Sequence, residues 1–380
     1  IIYTSGTTGK PKGVMITVSA FDYVTSTALR EMNLEKAGEQ FFSYLPLSHI
    51  AERMLVEMGA IYNGATISFS ESLEKFPQNL VETQPTIFLA VPRIWSKFQE
   101  KILERMPQQK LDRLLGIPLI RGLVRSKIRH GLGLSRARWI LTGAAPMRAS
   151  LMEWFDKLGI VIRDVYGMTE NLAYSHANVK GVKYGTAGQK WPGVEVRLSE
   201  EGEIMVRHAG MMKGYFREPE LTAETFTEDA FLRTGDIGTL DAEGFLRITG
   251  RVKDQFKTDK GKYIAPSPIE VRLMKNPDIE QACVVGTGLP QPIVLITLSA
   301  TGKSRSRIEV AQSLEKSLQD LNRELQSYEL LEKAVVLREE WTIGNGLLTP
   351  TLKVKRNLVE KRHQSQYARW FQSGGTVVWD

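Results

Sequence analysis

The sequence predicts an α/β protein. A large N-terminal domain of mostly parallel sheet and helices, closed by a small β-unit, precedes a small mobile α+β C-terminal domain. Three observations predict this. Apolar runs of strand length alternate with amphipathic helical stretches to about residue 195, the rhythm of βα units. The texture then changes to short strands with turn signals, as in 193–198, 202–206, 238–240 and 245–249. A charged break, Gly250-Arg251-Val252-Lys253-Asp254, precedes a new α+β pattern.

The predicted strands of the first domain are 66–70, 86–90, 139–142 and 161–166, with helices at 77–82 and 149–158 between them. Beyond the break, 267–274 and 308–325 predict helices, 281–285 and 293–298 strands, and 302–307 a polar basic loop. The expected division is therefore 1–250, the charged break at 251–254, and 255–380. Ile1-Ile2-Tyr3 has the character of a strand feeding a glycine-rich loop, so the large domain is expected to lack its N-terminal part.

Of 380 residues, 42% are hydrophobic and 24% charged, a globular composition that argues against disorder. The single cysteine, Cys283, excludes an intrachain disulfide and a cysteine-based metal site. No apolar run approaches the roughly 18–20 residues that span a bilayer, and there is no signal-peptide pattern. A cytoplasmic protein is expected. The net charge of +7 is concentrated: from Lys97 to Arg138 there are eleven Lys/Arg and three Asp/Glu, so the remainder is near neutral. Residues 119–129 mix apolar and basic types at helical spacing, which suits either a solvated basic face or peripheral contact with an anionic membrane. Nothing in the pattern points to nucleic acid, and oligomeric state is not legible.

The most informative segment is Thr4-Ser5-Gly6-Thr7-Thr8-Gly9-Lys10-Pro11-Lys12-Gly13. Its glycines let backbone N–H groups approach a ligand, and its hydroxyls and two lysines would surround a polyanion. It is not a Walker A loop: Lys10 is followed by Pro11, and Thr4 stands where the first glycine belongs. Gly302-Lys303-Ser304 fails as well, because Thr297 occupies the leading-glycine position.

This string resembles the phosphate loop of the adenylate-forming superfamily, which holds acyl-CoA synthetases, peptide-synthetase adenylation domains and beetle luciferases. The resemblance continues in order along essentially the whole chain. Tyr44-Leu45-Pro46-Leu47-Ser48-His49 resembles the segment bordering the acyl pocket, which implies that His49 lines it. Thr142-Gly143-Ala144-Ala145-Pro146 resembles the turn that lies along adenine. Asp164-Val165-Tyr166-Gly167-Met168-Thr169-Glu170 resembles the YGxTE motif. The resemblance implies that Tyr166 faces the base, Thr169 meets the α-phosphate and Glu170 holds Mg2+. Asp236, in Thr234-Gly235-Asp236, resembles the ribose-binding acid, and Arg251 the arginine that contacts ribose and phosphate. Lys253 matches the hinge, and Lys257 and Gly261 lie on the side implied to face CoA. In Leu348-Thr349-Pro350-Thr351-Leu352-Lys353-Val354-Lys355-Arg356, aligning Lys-x-x-Arg selects Lys353 as the catalytic lysine.

The wording of 45–53, 261–270 and 348–356 is similar to long-chain acyl-CoA synthetases. The implied activity is ATP-dependent activation of a fatty acid to acyl-AMP, then transfer to coenzyme A, with Mg2+ as cofactor. Two alternatives share the superfamily: a fatty acyl-AMP ligase and an aryl-CoA ligase. A third is of another class, a catalytically incomplete nucleotide-binding fragment. A peptide-synthetase domain is disfavoured because that group expects an Asp near His49, and none is there.

Overall fold

The computed structural model describes residues 1–5, 11–34, 38–349 and 353–380. They form two compact units, Ile1–Thr234 with Thr239–Ile248, and Gly235–Gly238 with Thr249–Asp380.

The first unit opens with a hairpin, β1 (Ile2–Ser5) and β2 (Pro11–Met15), paired up to Ser5↔Pro11. Helix α1 (Val18–Glu31) follows, capped by the Thr17 hydroxyl, which accepts from the Ala20 N–H at 3.1 Å. Strands β3 (Gln40–Ser43), β4 (Thr66–Phe69), β5 (Ile87–Ala90), β6 (Trp139–Thr142) and β7 (Arg163–Tyr166) are parallel. With β8 (His176–Ala177) and β9 (Gln189–Lys190), which are antiparallel, they make one sheet ordered β4-β3-β5-β6-β7-β8-β9. Successive strand residues face opposite sides, as strand geometry requires. Phe42, Phe88 and Ile140 join Trp95 and Phe155 in one core; Phe41, Leu89 and Leu141 join Val24 and Leu29 of α1 in another.

Short strands complete the unit. β10 (Glu195–Leu198) and β11 (Glu203–Arg207) are antiparallel, and β12 (Gly214–Tyr215) adds to the opening hairpin through Tyr215↔Val14. β13 (Leu232–Leu240) and β14 (Leu246–Arg251) extend the β10–β11 sheet in the order β10-β11-β13-β14. The strand expected over 161–166 starts two residues late, because Ile160 and Ile162 are buried as loop residues before β7.

The second unit holds a hairpin of β15 (Phe256–Lys257) and β16 (Tyr263–Ile264). Its main sheet is ordered β17-β18-β19-β20, from β17 (Ile279–Val285), β18 (Ile293–Leu298), β19 (Lys333–Val336) and β20 (Val377–Trp379). Helices Pro266–Leu273 and Arg307–Asn322 pack on one face of it through Ile269, Leu273, Val310, Leu314 and Leu318. One expectation is corrected. The polar stretch 302–307 is not all loop, since Ala300–Ser304 is a short helix whose Gly302 N–H is capped by the Ser299 hydroxyl at 3.1 Å. Ser306 then starts the next helix through a reciprocal bond pair with Glu309.

The basic stretch forms three helices, Pro92–Arg105, Gln108–Leu115 and Pro118–Gly131. In the last, Val124 and Ile128 pack toward the Phe88 core. On the same side Arg125 donates to the Lys157 carbonyl at 2.9 Å, and Arg129 to those of Gly159, Leu134 and Ala137. On the other side Leu119 is 91% and Leu123 72% exposed, on the same face as exposed Lys127.

Candidate active site

In the first unit the sequence-selected segments leave the C-terminal ends of parallel strands, where open α/β sheets place their ligands. Gly143-Ala144-Ala145-Pro146 follows β6, and Tyr166 to Glu170 follow β7, its direct neighbour through Thr142↔Asp164. The two turns are packed backbone to backbone. A Cβ on Gly143 would stand 2.9 Å from the Val165 carbonyl, and one on Gly167 2.4 Å from the main chain of Ala173. Ala144 itself adopts a left-handed φ of 67°, and Leu172 and Ala173 each 56°. A flat ligand there would meet main chain rather than long side chains.

Thr169 and Glu170 lie on the 3₁₀ turn Thr169–Asn171 and are buried. The turn is fixed from both ends: Asn171 Oδ1 accepts from the Met168 N–H at 2.8 Å, and the Glu170 carbonyl accepts from the Met212 N–H at 2.8 Å. The Tyr215 hydroxyl donates to Glu170 Oε1 at 2.7 Å. Burial and then the neighbouring carboxylate push the Tyr215 phenol upward, so it remains a donor. Over its ring stands the Lys12 ammonium, 5.1 Å from the centroid. Asp164 lies behind this turn, where burial pushes its carboxyl up to about 8 against one bond from the Val165 N–H.

Thr4 and Lys12 are Cα partners in the opening hairpin. Gly6, Thr7, Thr8, Gly9 and Lys10 lie outside the described residues, as does the Ser5 side chain. Tyr215 is the residue that sequence reading missed.

An apolar cavity of about 100 Å³ runs beside the Tyr166 to Glu170 turn. Its walls include Val24 and Leu29 of α1, Phe41 of β3, Leu89 and Leu141 of the sheet, and Leu172 and Ala173 after the turn. Ala51, Met54 and Leu55 close it, the last two from a π-helical segment, Glu52–Met58. His49 is not among the lining residues. Its Nδ1 accepts from the Ala51 N–H at 3.2 Å, and burial lowers its pKa, so the ring is neutral. Glu52 is 1% exposed. Burial pushes its carboxyl up to about 7, opposed by bonds from the Ser43 hydroxyl and the Leu45 and Tyr44 N–H groups.

In the second unit Asp236 is buried and accepts from Arg251 Nε at 2.8 Å. Lys353 senses both: burial lowers its pKa, Arg251 lowers it further, and Asp236 and Asp254 oppose. The Lys353 segment is closed by main-chain and hydroxyl bonds. Thr349 N–H donates to the Lys353 carbonyl at 2.8 Å, and Lys353 N–H to the Thr349 hydroxyl at 3.0 Å. Pro350, Thr351 and Leu352 lie outside the described residues. Arg356 anchors the segment by pairing with Glu270 and donating to the Val284 carbonyl at 2.6 Å. Lys253 is exposed on the turn Val252–Asp254; Lys257 lies over the Tyr263 ring at 5.4 Å, and Gly261 has a φ of 76° in the same hairpin.

The donors fit a hard cation held sparingly. Glu170 is a buried, oriented carboxylate, and among the described residues no group of three or more His, Cys, Asp or Glu gathers to cage a metal.

The family model for AMP-binding enzymes matches residues 1–216, and that for the AMP-binding enzyme C-terminal domain matches 253–373. The long-chain-fatty-acid–CoA ligase FadD15 of Mycobacterium tuberculosis is 30% identical over 96% of this chain and 68% of its own length. The long-chain-fatty-acid–CoA ligase ACSBG2 of Gallus gallus is 29% identical over 99% of this chain and 59% of its own. Among solved structures, the A domain of carboxylic acid reductase from Segniliparus rugosus, in complex with AMP and a carboxylic acid, superposes with a TM-score of 0.75. It is 25% identical, and the match covers 97% of this chain and 60% of that one. The chain belongs to the AMP-binding enzyme family, the adenylate-forming superfamily, in its long-chain acyl-CoA synthetase branch of AMP-forming acid–thiol ligases.

Proposed function

We propose that this chain carries the machinery that activates a fatty acid with ATP and passes the acyl group to coenzyme A. The observation that carries the acid's chemistry is the apolar cavity, whose wall runs into Leu172 and Ala173, directly after the Thr169–Glu170 turn. An aliphatic chain in that cavity would present its carboxylate beside the turn.

In the first half-reaction a carboxylate oxygen attacks the α-phosphorus of ATP, and the bond to pyrophosphate breaks. Two anions must meet, so the site has to supply positive charge and alignment. Thr4 to Lys12 take the triphosphate, Thr169 the α-phosphate, and Lys353 the charge between carboxylate and α-phosphate. Gly143 to Pro146, Asp164, Tyr166 and Gly167 frame the base, and Asp236 and Arg251 the ribose. Mg2+, held by Glu170, would neutralise phosphate charge. In the second half-reaction the CoA thiolate attacks the acyl carbonyl and AMP leaves. Lys253 is assigned the hinge between the two states, and Lys257 and Gly261 the CoA side. His49 is assigned to the border of the acyl segment, supported only by its bond from the N–H of Ala51, a cavity-wall residue.

The partly lipidic chemistry of substrate and product also favours peripheral contact with an anionic membrane through residues 97–138. The outward face bearing Leu119, Leu123 and Lys127 supports it. Among the described residues no helix is long and apolar enough to cross a membrane.

The test is acid-dependent ATP–pyrophosphate exchange across a series of fatty-acid lengths and aromatic acids, followed by CoA or acyl carrier protein. Exchange with long-chain acids and thioester formation with CoA are expected. Preference for aromatic acids, or for carrier protein over CoA, would replace the reading with an aryl-CoA ligase or a fatty acyl-AMP ligase. Absence of exchange with every acid would leave a nucleotide-binding fragment.

A further inference from the structure

The carboxylate assigned to the cation is not aimed by its own turn alone. Tyr215 reaches it from a strand more than forty residues away in sequence, with a 2.7 Å bond to Oε1. That strand is secured on both sides. β12 pairs with β2 through Tyr215↔Val14 and Gly214↔Met15, and the Lys213 and Phe216 N–H groups donate to the Met15 and Gly13 carbonyls at 2.8 and 2.7 Å. Three residues before Tyr215, the Met212 N–H holds the Glu170 carbonyl at 2.8 Å. The Tyr215 N–H donates to the Thr222 hydroxyl at 2.9 Å, which fixes the main chain from which the ring projects. Its face carries the Lys12 ammonium. One side chain therefore touches both the lysine at the end of the glycine-rich segment and the buried acid of the YGMTE segment.

We propose that Tyr215 is a positioning residue: its hydroxyl fixes the Glu170 carboxylate in the orientation that receives Mg2+, and its ring holds Lys12 beside that carboxylate. The proposal rests on the assignment of Glu170 to the cation. A neutral hydroxyl suits the task because it orients a carboxylate without cancelling the charge a cation needs. A lysine or arginine bonded at the same oxygen would compete with the metal. The partner of a metal-bound carboxylate commonly matters this much, since removing it lets the ligand rotate away.

Tyr215→Phe keeps the ring, its packing and its contact with Lys12, and removes only the hydroxyl. Mn2+ binding in the presence of ATP, read from loss of the free Mn2+ EPR signal, should weaken roughly tenfold. The Mg2+ requirement for ATP–pyrophosphate exchange should rise by a similar factor, with the rate recovering at saturating Mg2+. Unchanged Mn2+ affinity, or a lost rate that excess Mg2+ does not restore, would overturn the proposal. Glu170→Gln separates the two assignments. If it weakens Mn2+ binding and Tyr215→Phe does not, Tyr215 alone is wrongly placed. If neither weakens it, the assignment of Glu170 fails and takes this proposal with it. The double variant distinguishes positioning from folding: Tyr215→Phe should cost no further Mn2+ affinity once Glu170 is Gln. A second loss of equal size would show a merely structural role and overturn the proposal.

Discussion

Two acids, one in each unit, are held in opposite ways. In the first unit Glu170 is oriented by a neutral phenol; in the second Glu270 is answered by Arg356. The difference separates two uses of a carboxylate. One whose charge is cancelled in place ties chain segments together, as Glu270 joins the helix Pro266–Leu273 to the start of the helix Arg356–His363. One aimed by a neutral donor keeps its charge for something not yet bound.

The comparison is broken most sharply at Arg356. Removing its guanidinium by Arg356→Met strands a largely buried Glu270 and should cost about 3–5 kcal/mol. Hydrogen exchange should report the loss on β17 and its neighbours in the second unit, with the β3–β7 sheet of the first unaffected. Uniform loss over both units would show that the Arg356–Glu270 pair does not act locally.

Next in size is Lys353→Ala. Acyl-adenylate formation should fall ~10²–10³-fold, while thioester formation from preformed acyl-AMP persists. Equal loss in both half-reactions would remove Lys353 from its assigned step.

Within the first unit, Glu52 sharpens the contrast, because its charge is opposed by burial and not by a partner cation. Its pKa rises from 4.5 to about 7 on folding. The folded state thus prefers the protonated form, so this contribution is complete below pH 4.5 and disappears as pH climbs to 7. Glu52→Gln should flatten that fall, which is worth ~3 kcal/mol, in urea titrations from pH 5 to 8. A parallel pH profile in the variant would show that Glu52 ionises as freely as in water.

The smallest expected effect lies on the helix Pro118–Gly131. Leu119→Ser with Leu123→Ser should lower partition onto phosphatidylserine-containing vesicles roughly tenfold at low salt. Arg125→Gln should leave partition unchanged, since that side chain is occupied with the Lys157 carbonyl. Equal effects would mean that exposure does not sort these residues.

Much of this was legible in the sequence. The βα rhythm worked because strand residues such as Phe41 and Phe42, or Phe88 and Leu89, feed opposite cores, a signal carried locally. The segments 142–146 and 164–170 were legible through their resemblance to family motifs, and they belong to adjacent strands and the turns after them. Tyr215 was not legible, because its importance comes from pairing with a strand two hundred residues earlier; only the Gly-aromatic pair at Gly214-Tyr215 hinted at a packed strand. Nor could helical spacing show which basic residues of 97–138 turn inward. That depends on free carbonyls at Lys157 and Gly159, the end of another helix. The cavity, finally, gathers α1, the π-helical segment and five strands, and no single window of sequence contains it.

The crowding of Gly167 against Ala173 has an evolutionary reading. The turn after β7 is shaped by main chain, where almost any added atom collides, so it has little room to drift. Part of the cavity wall is made of side chains from α1 and from Glu52–Met58, elements separate from that turn. A lineage built this way can change the acid it accepts one wall residue at a time and keep its nucleotide chemistry intact.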